Sequence, residues 1–102
     1  MWSPSKNLTP KQTLLLKQPE VGNLIRELRQ LAGLTQEQLA SVLGVAYGTI
    51  NRWENGHIQP SPLALRQIRS VLEELNQSSA KVLQEGSTEL LRKYFAEEER
   101  TR

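Results

Sequence analysis

A chain of 102 residues with a formal charge of +2, no cysteine and a single histidine has room for one small core and little beyond it. Disulfides and thiolate metal sites are excluded, and one histidine cannot build a zinc site unless carboxylates gather round it. A pI near 9.2 permits a nucleic-acid partner without demanding one, because small soluble domains often reach it.

The excess of positive charge sits at the start. Residues 1–20 carry Lys6, Lys11 and Lys17 against Glu20, whereas the two later stretches, 21–60 and 61–102, are each balanced. Pro4, Pro10 and Pro19 among Ser, Asn and Lys resist a packed element, so residues 1–20 read as a flexible basic arm. It is either a solvated tail or a source of phosphate contacts. The longest leucine run near the start, Leu14–Leu16, is too short for a signal peptide or a membrane span, so the expected location is the cytoplasm.

A helix is predicted from Val21 to Ala32, where Val21, Leu24, Ile25, Leu28, Leu31 and Ala32 fall at helical spacing and Gly33 closes the run. Thr35 opens the next helix. Its hydroxyl can cap the Gln38 amide while the Gln38 side chain returns to the Thr35 amide. Leu39, Ala40 and Leu43 make one apolar stripe, and Gly44 supplies a left-handed stop. A third helix is predicted over Tyr47–Asn55, with Val45, Ile50 and Trp53 facing inward and Gly56 as its stop. A fourth begins at Ser61-Pro62, a capping serine followed by proline in the first helical position, and Leu65, Ile68, Val71, Leu72 and Leu75 should close the core. From Ala80 to Glu99 the residues Val82, Leu83, Leu90, Leu91, Tyr94 and Phe95 again suggest a helix, interrupted at Gly86. The chain is thus divided into an arm (1–20), a helical domain (21–77) and a C-terminal extension (78–102).

Thr35-Gln36-Glu37-Gln38-Leu39-Ala40, then Leu43-Gly44-Val45, then Ile50-Asn51-Arg52-Trp53-Glu54-Asn55-Gly56 resembles the phage-repressor-like (Cro/C1, Xre-type) helix-turn-helix family, over about Asn23 to Leu75. The resemblance implies an all-α, compact four- to five-helix lambda-repressor-like DNA-binding domain, here with an additional C-terminal helix. It implies double-stranded DNA as partner and no catalysis, cofactor, metal or membrane. His57, alone in a loop without a nucleophile or carboxylate at a motif spacing, adds nothing against that.

In such a family the third helix enters the major groove. Stepping 100° per residue with Ile50 and Trp53 inward turns Gly48, Asn51, Arg52 and Asn55 outward. The Arg52 fork suits guanine O6 and N7, and Asn51 suits adenine N6 and N7. Tyr47, at the exposed start, can stack on a thymine methyl or donate to a phosphate. Gln36 heads the second helix, whose free amides and positive dipole end the family turns to the DNA backbone. Asn55 and Gly56 are further phosphate anchors. Trp53 reads as core, and Glu54 resembles the family's partly buried acid, with Arg29 as its expected ion-pair partner. Ala46 lacks a capping side chain where many relatives have Ser or Thr, and Gly48 weakens the helix by about 1 kcal/mol.

The leading expectation is a sequence-specific transcriptional regulator, a repressor that occupies its operator as a homodimer joined through the C-terminal extension. An antitoxin that represses its own operon while its arm or C-terminal helix holds a toxin is the alternative. A protein-interaction adaptor on the same fold comes third.

Overall fold

The local chemistry of the caps is realised in a computed structural model, which describes residues 16–100, with side chains described as far as Phe95. Helix α1 spans Glu20–Ala32, α2 Gln36–Leu43, α3 Tyr47–Glu54, α4 Pro62–Asn76 and α5 Lys81–Arg100. No strand occurs among the described residues, and the fold is the all-α one expected.

Thr35 and Gln38 form the reciprocal capping box at the start of α2, which satisfies two amides that the helix itself leaves free. Ser61 accepts from the Ala64 amide at 3.1 Å and Pro62 opens α4. Gly44 ends α2 at φ 72°, a left-handed conformation that costs a side-chain-bearing residue 1–2 kcal/mol, roughly, and glycine nothing. The chain thereby turns sharply from α2 into α3.

Leu24, Ile25 and Leu28 of α1, Leu39 of α2, Ile50 and Trp53 of α3, and Leu65, Ile68 and Leu72 of α4 meet in one core. Val71 and Leu75 pack at its margin, half-buried.

Two boundaries drawn from the sequence shift in the structure. Leu16, read as the last residue of a flexible arm's leucine run, is buried in the core. Gln18, also assigned to the arm, is clasped to the loop after α3: its main-chain N–H donates to Gln59 Oε1 at 3.0 Å, and Gln59 Nε2 donates to the Leu16 carbonyl at 3.1 Å. Residues 16–20 therefore belong to the packed domain. Lys17 is exposed, and Lys6 and Lys11 lie outside the described residues.

The other shift concerns α5. Its apolar face was expected to serve a second subunit, yet Leu90, Leu91 and Phe95 are buried in the protomer's own core, where α5 packs on α4 and α1. The physical reason is Gly86. Instead of breaking the helix, it lets α5 lie against α1 so closely that a Cβ there would sit 2.3 Å from Leu31 Cδ1. The departure from helical geometry comes at Phe95 instead, with φ −124° and ψ 20°.

Polar contacts fasten the same seam. Tyr94 donates its hydroxyl to Glu27 Oε2 at 2.6 Å and Lys93 Nζ reaches that oxygen at 3.1 Å. The Tyr94 and Lys93 bonds hold the Glu27 carboxyl below its ordinary value, and burial together with Glu27 pushes the Tyr94 hydroxyl up. No described helix is long and apolar enough to cross a membrane.

Candidate nucleic-acid interface

Helix α3 divides lengthwise. Ile50, Trp53 and Glu54 are buried, while Tyr47, Asn51, Arg52 and Asn55 are exposed. Tyr47 is 51% exposed, its ring and hydroxyl both open to a partner. The Arg52 guanidinium lies back along the helix over Gly48, where a Cβ would find Arg52 Nη1 at 3.6 Å. A tyrosine, an arginine and two asparagines thus line one outward strip of a helix, which is the shape that fits a DNA major groove.

The inward side of α3 is held by a charged network. Arg29 Nε donates to Glu54 Oε2 at 2.5 Å and Arg29 Nη2 to Glu54 Oε1 at 3.2 Å, a two-pronged pairing that matches guanidinium to carboxylate. Bonding to Glu54 is the main cause of the raised pKa of Arg29. Gln36 Nε2 adds a third donor, reaching Glu54 Oε1 at 3.0 Å. A buried carboxylate demands such partners, because its desolvation is otherwise uncompensated.

That last bond relocates Gln36. The residue begins α2 as expected, but its side chain is committed to Glu54 and, at 3.5 Å, to Asn51 Oδ1. Its main-chain N–H stands at the head of α2, beside a notch that Thr35, Glu37 and Tyr47 also line. Asn55 caps α3 and donates through Nδ2 to Asn51 Oδ1 at 3.3 Å. Gly56 follows at φ 77°, exposed, with its N–H turned back to the Trp53 carbonyl at 3.1 Å. Trp53 is in the core.

Three residues that position α3 escaped the sequence reading. Gln18 Nε2 donates to the Trp53 carbonyl at 2.9 Å and to the Ile58 carbonyl at 2.7 Å. Arg26 donates to the Glu54 carbonyl, so that the carbonyls a helix end leaves unpaired are met by side chains from the α1 region. Gly22 permits the approach, since a Cβ there would stand 2.7 Å from the Glu54 carbonyl oxygen. A glycine inside the first turn of an otherwise glycine-free amphipathic helix is the available signal for Gly22. Gln18 and Arg26 carry none, because nothing local marks a partner that lies 35 or 28 residues away.

This geometry defines a class: two helices joined by a glycine corner, the second presenting a polar strip outward from a shared core. The helix-turn-helix family model matches residues 25–74, and the chain belongs to that Cro/C1, Xre-type family. It carries a DNA-binding transcription-regulator domain. No curated protein and no solved structure matches it.

Proposed function

We propose that this protein is a repressor that occupies a palindromic operator as a homodimer, each copy laying α3 in the major groove. Tyr47, Asn51 and Arg52 meet base edges. The Gln36 main-chain N–H and the Asn55 side chain meet phosphates, which set register without carrying sequence information, and Gly56, its N–H turned to the Trp53 carbonyl, leaves room for the DNA backbone to approach.

The observation that carries this reading is the lengthwise division of α3, with Tyr47, Asn51 and Arg52 outside while Ile50, Trp53 and Glu54 are buried. Arg52 is the leading reader, because its fork can donate twice to guanine and contribute about 1–3 kcal/mol of discrimination. A second copy is required because one helix of eight residues offers too few contacts for operator occupancy. Two recognition helices about 34 Å apart then read half-sites one turn apart. Because Leu90, Leu91 and Phe95 are buried within the protomer, the contact between copies falls elsewhere on the surface.

Selection of bound sequences from a random DNA pool, followed by titration at rising salt, tests the proposal. An enriched site with two-fold symmetry and an affinity that falls steeply with salt are expected. Arg52→Ala should relax preference at one position of each half-site. Absence of binding even at low salt would overturn the regulator reading in favour of the adaptor. A protein that stays monomeric by sedimentation on its selected site would overturn the dimer.

A further inference from the structure

The hydrogen bonds around Asn51 fix which atom of its amide is free. Glu54 is a carboxylate, an acceptor only, and Arg29 holds it in place through both oxygens. The Gln36 atom that lies 3.0 Å from Glu54 Oε1 must therefore be its amino group. That same nitrogen, with a second proton to give, lies 3.5 Å from Asn51 Oδ1, and Asn55 Nδ2 lies 3.3 Å from it. With two donors converging on the Asn51 oxygen, its Nδ2 amino group is the atom left to meet a ligand.

We infer that Asn51 is a donor-only reader, oriented by Gln36 and Asn55, that selects guanine over adenine at its position in the DNA site. This rests on the operator reading above and sharpens it. A two-bond pairing with adenine needs the Asn51 oxygen to accept from N6 while its nitrogen donates to N7. Here the oxygen is already occupied and the amino group faces outward. Against adenine, that amino group meets another amino group; against guanine, it meets O6 and N7, which both accept. Gln36 and Asn55 are positioning residues, and the polarity they impose is anchored at the far end by Arg29 through Glu54.

Base-preference profiles from a random DNA pool test this, using the full chain, Asn51→Ala, Asn51→Asp and the double variant Gln36→Met/Asn55→Ala. Circular dichroism confirms the helical fold of each. The full chain should prefer a G·C pair about five-fold over A·T at the one position that Asn51→Ala flattens, the size of one hydrogen bond. Asn51→Asp turns an acceptor outward and should move that preference to a base presenting an amino group, cytosine or adenine. In the double variant the amide is free to turn, and adenine should rise to parity there. Overall affinity should also fall, because Asn55 meets a phosphate, but about equally for every sequence, so base preference at the other positions stays as in the full chain.

Adenine as the preferred base of the full chain at that position would overturn the inference while leaving the operator reading intact. So would an unchanged profile in the double variant, or an Asn51→Ala profile identical to that of the full chain. A pool in which the full chain enriches no sequence would overturn the operator reading, and this inference with it.

Discussion

The two ends of α3 are built differently. At its C-terminal end the carbonyls of Trp53 and Glu54 accept from Gln18 and Arg26, and the Glu54 carboxylate accepts from Arg29 and Gln36. At its N-terminal end Ala46 supplies no side-chain cap, and Gly48 lowers the helix preference of the first turn. The groove-facing helix is thus clamped where it meets α1 and loose where it starts. The contrast teaches that the side-chain bonds holding α3 gather at its C-terminal end, from Arg26 and Arg29 of α1, Gln18 just before α1 and Gln36 of α2, and that the corner at Ala46 supplies none. Tyr47 projects from the loose end; Asn51 is tied to the clamped one.

Breaking the clamp should have the largest effect. Arg29→Ala leaves Glu54 buried with Gln36 as its remaining side-chain donor, and chemical denaturation should show a loss of about 3 kcal/mol, the low end for a severed buried pair, because Arg29 is itself partly solvated. A loss under about 1 kcal/mol would mean that water replaces the guanidinium. Gly22→Ala comes next. Its methyl would press on the Trp53 and Glu54 carbonyl oxygens at 2.9 and 2.7 Å, backbone atoms that cannot swing aside, and about 1–3 kcal/mol should be lost. Gln18→Ala should cost about 1 kcal/mol by removing the donor to the partly buried Trp53 carbonyl, while the exposed Ile58 carbonyl turns to water.

Changes at the loose end should be smaller and opposite in sign. Ala46→Ser restores a cap and should raise stability by about 0.5–1 kcal/mol. Gly48→Ala should add up to about 1 kcal/mol, since the new methyl meets only the Arg52 guanidinium at 3.6 Å, an ordinary contact. Thermal melts of the two variants would settle whether the first turn is limited by its caps. If neither gains stability, the looseness of that end has another source.

Most of the helical layout was legible because its signals are local. Capping pairs such as Thr35 with Gln38, the glycine stops at Gly33, Gly44 and Gly56, and apolar spacing act within a turn or two of chain. The candidate site was legible in part for the same reason. A helical wheel separates Asn51 and Arg52 from Ile50 and Trp53 without any knowledge of what lies opposite. The Arg29 to Glu54 pairing was named through the family resemblance, and the structure contains it.

What escaped were partners distant in sequence. Gly86 reads locally as a helix breaker, and only the position of Leu31 makes it the point where α5 closes on α1. Gln36 reads as a helix-start residue free to clamp a phosphate, and only the arrival of Glu54 draws its side chain inward. The sequence by itself determined five helices, a glycine corner and a family, because those follow from hydrogen bonds and apolar spacing within a few residues. The tertiary structure decided that the last helix joins the core, that residues 16–20 belong to the domain, and which atom of Asn51 faces outward. Each of those depends on groups that folding alone brings within bonding distance.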